Sequence, residues 1–176
     1  MQILVVSASK YGATRSIAAV IGDELARHAH EVTLREAADA PAPAGFGAAV
    51  IGSAVYAGSW LPAAKRYVHT HAAALGVIPV WLFSCGLRAV EDPQAAAQAP
   101  YVADLVSTSG AREHVALPGC VDLRAMTWFE RLVMRMLKAR DGDFRDWDAV
   151  RACAGRIAAA QDGAGEPRSS GADAGL

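Results

Sequence analysis

Ile3-Leu4-Val5-Val6, followed by Ser7-Ala8-Ser9-Lys10-Tyr11-Gly12-Ala13-Thr14, is the first patterned stretch of the chain. The four apolar residues form a continuous run of strand length, the pattern of a strand buried on both faces of a parallel sheet. Beyond the Ser/Gly/Thr turn, Ile17, Val20, Ile21 and Leu25 recur at helical spacing, while Arg15, Asp23, Glu24 and Arg27 take other faces. Between strand and helix, backbone N–H groups and the positive end of the helix dipole converge on Ser9 to Thr14, so an anion fits there. Ser9 and Thr14 offer hydroxyls, and Gly12 permits the positive φ that folds successive amides into a concave nest. Taken alone, the hexapeptide reads equally well as an ordinary strand-to-helix turn capped by Thr14.

Working outward, short strands are expected at Glu31 to Arg35, Ala48 to Ile51 (ending at Gly52-Ser53), Val77 to Phe83 and Glu113 to Leu117. Pro79 leaves the start of the fourth strand open. Helices are expected at Leu61 to Leu75, with Ser59 as cap and Pro62 in the first turn, and at Gln94 to Ser107, broken by Pro100. Two more follow, Asp122 to Arg140 and Asp146 to Ala160. Strands alternating with helices predict a doubly wound parallel α/β sheet with ligands at the carboxyl ends of its strands. The loops after the first, third and fourth strands are therefore the candidate site. Residues 1–161 read as one domain, and 162–176, without apolar periodicity, as a disordered tail.

Composition narrows the function classes. Hydrophobic residues make up 53% and charged residues 20% of 176, enough for one sheet covered on both faces. A net charge of -1 supplies no general field for nucleic acid, so no nucleic-acid partner is expected. Cys85, Cys120 and Cys153 are odd in number and lack metal-ligand spacing, which predicts reduced thiols, no metal and a cytoplasmic setting. The start lacks a secretory pattern, and the uncharged stretch Ala40 to Ala64 is broken by Pro41, Pro43, Gly45, Gly47, Gly52 and Gly58. No transmembrane helix is expected.

Neither GxGxxG nor GxxxxGK[ST] follows the first strand, and the strand ends carry Ser7, Ala8 and Ser53 rather than the acids of a phospho-receiver. The hexapeptide resembles the phosphate loop of the flavodoxin family, Ser/Thr-x-Thr-Gly-x-Thr, with Tyr11 at the third position. The resemblance continues in Gly52-Ser53-Ala54-Val55-Tyr56-Ala57-Gly58-Ser59-Trp60 and in Ser84-Cys85-Gly86-Leu87, the positions of the two flavin-flanking loops. It implies a flavodoxin-like five-stranded sheet of order 2-1-3-4-5 with helices on both faces. It also implies FMN held by Ser9, Lys10, Tyr11, Gly12, Ala13 and Thr14, by Ser53, Ala54, Val55, Tyr56, Ala57 and Gly58, and by Ser84, Cys85, Gly86 and Leu87. Gly52 to Gly58, the segment Leu123 to Ala139 and Asp146-Trp147-Asp148 are similar to the menaquinone-dependent protoporphyrinogen IX dehydrogenases and their flavodoxin-domain relatives. That similarity implies an FMN-dependent oxidoreductase passing electrons from an organic donor such as protoporphyrinogen IX to a quinone-like acceptor, at a membrane surface without crossing it. The alternatives are a flavodoxin-type electron carrier and a flavin-free binding module that kept the fold.

Individual side chains carry two readings. Tyr56 and Trp60 either flank the flavin ring or pack at a helix entry. Ser84 to Leu87 holds no aromatic residue, leaving one ring face open to a substrate, and Cys85 reads first as a packing residue. No catalytic acid or base stands out. Over Leu123 to Arg140, Arg124, Arg131, Arg135 and Lys138 are spaced as one basic stripe opposite a wide apolar arc of Trp128, Phe129, Leu132, Val133, Met136 and Leu137. Peripheral membrane contact, a covering helix and a homodimer face all fit that pattern.

Overall fold

Alternate residues of the first strand point to opposite faces, and both faces are dry: Ile3 and Val5 enter one apolar cluster, Leu4 and Val6 another. The computed structural model describes residues 1–136 and 141–165. In chain order the elements are β1 (Gln2–Ala8), α1 (Ala13–Arg27), β2 (Glu31–Glu36), β3 (Ala48–Tyr56), β4 (Ser59–Trp60), α2 (Pro62–Thr70), α3 (Ala72–Leu75) and β5 (Val80–Gly86). They continue as α4 (Arg88–Glu91), α5 (Pro93–Ala97), α6 (Pro100–Ser109), β6 (Glu113–Pro118), β7 (Cys120–Val121), α7 (Trp128–Met136), β8 (Gly142–Asp143) and α8 (Trp147–Gly165).

Five parallel strands lie in the order β2-β1-β3-β5-β6, the expected 2-1-3-4-5 arrangement when the long strands alone are counted. Ile17, Ala18, Ile21 and Leu25 of α1, with Val150, Ala154 and Ile157 of α8, cover one face. Ala64 and Val68 of α2, Leu75 of α3 and Leu105 of α6 cover the other. At the centre of the sheet, Gly52 of β3 pairs with Phe83 of β5, and a methyl group on Gly52 would lie 1.9 Å from Phe83 Cζ. The ring lies over the glycine, which is why that position carries no side chain.

Several boundaries differ from expectation for identifiable reasons. β3 does not stop at Gly52-Ser53 but runs to Tyr56, where Ala57 (φ 49°) and Gly58 (φ 74°) turn it back antiparallel into β4. Two consecutive positive φ values are what a two-residue hairpin turn of matching twist demands. Ser59 is consequently in this hairpin and caps nothing; Leu61 occupies the N-cap position of α2 without a side-chain hydrogen bond, and Pro62 stands in its first turn as expected. The ladder of β5 starts at Val80, after Pro79 has used its carbonyl to accept from Ala49 N–H at 2.9 Å. Pro100 does break the Gln94 to Ser107 stretch, into α5 and α6.

The largest departure is Asp122 to Arg140, expected as one helix. Asp122 Oδ1 instead accepts from Arg124 N–H at 2.9 Å, Cys120–Val121 pairs with Gly142–Asp143, and the helix begins only at Trp128. Arg124 therefore lies outside α7, and the four-residue basic stripe reduces to Arg131 and Arg135, with Lys138 outside the described residues. Asp146 Oδ1 accepts from the amides of Asp148 and Ala149 at 3.1 and 2.9 Å and so caps α8. That helix continues to Gly165, four residues past the expected end of the domain, so 162–165 are not tail; 166–176 lie outside the described residues.

Candidate functional site

The loop between β1 and α1 owes its shape to Gly12, whose φ of 89° is left-handed and whose Cβ position is open space. Ser9 Oγ accepts from Gly12 N–H at 2.9 Å, closing the loop on itself, and Ser16 N–H donates to Gly12 O at 3.0 Å as the first bond of the helix. The amides of Ala13, Thr14 and Arg15 find no acceptor among the described residues. Thr14 does not cap the helix: its Oγ1 is buried and lacks a hydrogen-bond partner among the described residues. A buried hydroxyl without a partner costs about 1–3 kcal/mol. Unpaired amides, a helix N-terminus and an orphaned hydroxyl together form a cradle for an anionic oxygen group.

The cradle opens into a cleft of about 570 Å³, some of it continuous with solvent. Its walls include Ser9, Lys10, Tyr11, Ala13 and Thr14 from the first loop, Ala54, Val55 and Tyr56 from the end of β3, and Cys85, Gly86 and Leu87 from the end of β5. The three loops singled out from sequence thus meet in one place. Gly119, Cys120, Val121 and Met126 complete the wall from beyond β6, and nothing in their residue types flagged them.

Some expected contacts are not made by side chains. Ser53 is fully buried; its Oγ accepts from Leu61 N–H at 3.0 Å and donates to Ala54 O at 2.9 Å, so it secures the start of α2. Ala57 and Gly58 form the hairpin tip and do not line the cleft. Ser84 points into the opposite side of the sheet, where its Oγ accepts from Trp60 Nε1–H at 2.6 Å and sits 2.8 Å from His114 Nε2. His114 Nδ1 lies 3.0 Å from Ala97 O, which can only accept, so Nδ1 carries the proton and Nε2 accepts from Ser84. Burial lowers the His114 pKa, keeping this relay neutral. Trp60 is therefore a core residue. Cys85 lines the cleft near Thr14, but its thiol makes no hydrogen bond of acceptable geometry to that hydroxyl, and burial pushes the thiol up to about 11, so it stays protonated.

Glu130, which sequence reasoning did not single out, dominates the electrostatics of the mouth. Its side chain is 9% exposed. Oε1 accepts from Lys10 Nζ in a close ion pair and from Tyr56 O–H at 2.7 Å; Oε2 accepts from Tyr11 O–H at 2.6 Å. Thr127 adds its amide at 2.9 Å and its hydroxyl at 2.8 Å to Oε2. The Lys10 ion pair, then the Tyr11 and Tyr56 hydroxyls and the Thr127 amide, hold this carboxyl far below the usual range, and the same ion pair raises Lys10. Lys10 Nζ also sits 3.8 Å above the Tyr56 ring. Thr127-Trp128-Phe129-Glu130 has the form of a capping box, a signal that marks the start of α7.

On the other side, Arg145 fastens the β7-β8 ribbon to the first turn of α1. Its guanidinium donates to both oxygens of Asp143, at 2.7 and 2.5 Å, and to Ser16 Oγ at 2.5 Å. Among the described residues there is no cluster suited to a metal ion, and no helix is long and apolar enough to cross a membrane.

The flavodoxin domain family matches residues 4–148 of the chain. No curated protein matches the sequence. Among solved structures, a flavodoxin from the domain Archaea is similar at 15% identity and TM-score 0.62, covering 92% of this chain and 99% of that one. Flavodoxin 2 from Bacillus cereus is similar at 22% identity and TM-score 0.58, again over 92% and 99%. Rubredoxin oxygen:oxidoreductase from Desulfovibrio gigas is similar at 13% identity and TM-score 0.62 over 92% of this chain, which spans only 36% of that protein.

Proposed function

Because this chain belongs to the flavodoxin domain family, we propose that it binds FMN without a covalent bond and acts as an oxidoreductase between an organic donor and a quinone-like acceptor. The observation that carries the cofactor reading is the buried, partnerless Thr14 hydroxyl beside the free amides of the Gly12 turn. A terminal phosphate gives that hydroxyl and those amides their acceptors. Ser9 to Thr14 would hold the phosphate, while Ala54, Val55 and Tyr56 on one wall and Cys85, Gly86 and Leu87 on the other would flank the ring. Bound flavin would supply hydride acceptance and one- or two-electron transfer. The chain's own residues bind and orient it, and no protein nucleophile is required.

The donor we favour is a porphyrinogen, on the sequence similarity of Gly52 to Gly58 and of the segment after Leu123 to protoporphyrinogen dehydrogenases. Support for an apolar acceptor comes from α7, where Trp128 is 76% and Met136 77% exposed, with Phe129 and Leu132 on the same outward arc. That arc, flanked by Arg131 and Arg135, suits peripheral contact with an anionic membrane, where each cation contributes about 1 kcal/mol. A second reading, a flavodoxin-type electron carrier, is favoured by the match to flavodoxins over 99% of their length. The visible spectrum of the purified protein tests the flavin. Anaerobic oxidation of protoporphyrinogen IX with menadione as acceptor then separates the two: turnover supports the enzyme, while flavin reduction by a reductase partner without porphyrinogen turnover supports the carrier.

A further inference from the structure

Among the described side chains of α7, Glu130 is the one that is buried; the neighbouring Trp128, Phe129, Arg131 and Leu132 are exposed. The helix is thus attached to the cleft through a carboxylate. Its receiving groups come from the two loops that form the cleft walls, Lys10 and Tyr11 after β1 and Tyr56 at the end of β3. Each spends its polar atom on Glu130: among the described residues the Tyr11 and Tyr56 hydroxyls have no other acceptor, and Lys10 has no other ion pair. Both carboxylate oxygens are used, one by Lys10 and Tyr56, the other by Tyr11. A cation and two hydroxyls spread across two oxygens match a planar carboxylate, and charge-assisted bonds of this kind are about twice as strong as neutral ones.

We propose that Lys10, Tyr11 and Tyr56 form a carboxylate-binding subsite at the mouth of the cleft, filled from within by Glu130 and open, when α7 lifts, to the carboxylate of an organic substrate. That the ligand is a redox substrate rests on the oxidoreductase reading; that the subsite takes an external carboxylate does not. Lifting α7 forfeits little burial at Trp128, Phe129, Leu132 and Met136, which are already exposed. What opposes it is the tethered carboxylate, present at an effective concentration on the order of millimolar. A simple monocarboxylate therefore competes poorly with Glu130. A substrate that also contacts the cleft walls competes well.

The test is a titration of the full chain, free of flavin, with benzoate and with neutral benzamide, followed by tyrosine fluorescence. Glu130→Gln should bind benzoate at least tenfold more tightly than the unaltered protein, adding Lys10→Met should abolish the gain, and benzamide should distinguish none of the three. In the unaltered protein, saturating benzoate should speed tryptic cleavage after Arg131 several-fold, an arm that does not depend on any variant folding. Equal benzoate affinity in the Glu130→Gln and unaltered proteins, or a gain indifferent to Lys10, overturns the subsite, as does cleavage unmoved by benzoate. Failure of the protein to bind FMN would sink the oxidoreductase reading and leave these outcomes intact.

Discussion

The cleft is closed from two sides by segments held in different ways. The loop Ser9 to Thr14 is set between β1, whose Ile3 to Val6 are wholly buried, and α1, whose Ile17 and Ile21 are as well. Burial of apolar area positions it. The segment Thr127 to Met136 exposes Trp128, Phe129, Leu132 and Met136 and is held by the ion pair and hydrogen bonds of Glu130. Apolar packing spreads its contribution over many contacts in proportion to area, whereas the clasp rests on the charge of one side chain. The first side is thus a framework and the second a detachable cover.

Gly52→Ala should break the framework and give the largest effect. Its methyl group would fall 1.9 Å from Phe83 Cζ, in a sheet with no room for the ring to retreat, and overpacking of this kind costs about 1–3 kcal/mol. Urea denaturation should show the loss as a lower midpoint with unchanged slope. Glu130→Ala should separate the two sides. The urea midpoint should fall less than in Gly52→Ala, because no apolar packing is lost at Glu130, while tryptic cleavage after Arg131 rises about tenfold by loss of the charge-assisted bonds. Equal global loss in both variants would remove the distinction.

The framework was legible in sequence because its signals are local. An apolar run of four, a glycine turn and a helical period lie side by side from Ile3 to Leu25, and strand order followed from alternation and handedness. The cover was not, because what holds it is a contact between Glu130 and residues about a hundred positions away. Periodicity from Trp128 to Met136 marks a helix, but the Asp122 turn and the Thr127 to Glu130 capping box keep that helix from reaching back to Asp122. The Tyr56 to Ser59 hairpin was hidden by Ala57, a residue whose left-handed φ runs against local preference. Ser53 and Ser84 lie at the ends of β3 and β5 that border the cleft, yet strand alternation turns their hydroxyls into the framework.

The smallest effect concerns pH. Burial lowers the His114 pKa, so on acidification the unfolded chain takes up its proton first, and stability is complete above the ordinary value of about 6.5. It falls as pH drops from there toward the lowered value, by at most about 1.4 kcal/mol per pH unit for one proton. His30, also lowered by burial, acts with the same sign. Urea midpoints between pH 7.5 and 5 should therefore decline, and His114→Gln should flatten the decline without abolishing it. An unchanged slope in that variant would mean that the Trp60-Ser84-His114 relay is indifferent to charge.

The claim on which the account turns is that Gly12 and Thr14 shape a phosphate cradle, and flavin titration reads it directly. The unaltered protein should bind one FMN per chain in the micromolar range or tighter, with FAD binding no better. Thr14→Ala should weaken FMN about tenfold, the loss of one hydrogen bond to a charged group, while leaving the flavin-free protein as stable as before or slightly more so, since it removes a buried hydroxyl without a partner. Gly12→Val should weaken FMN by a similar factor or more, because φ of 89° strains a β-branched residue. Absence of FMN binding, or undiminished binding in both variants, would contradict the assignment.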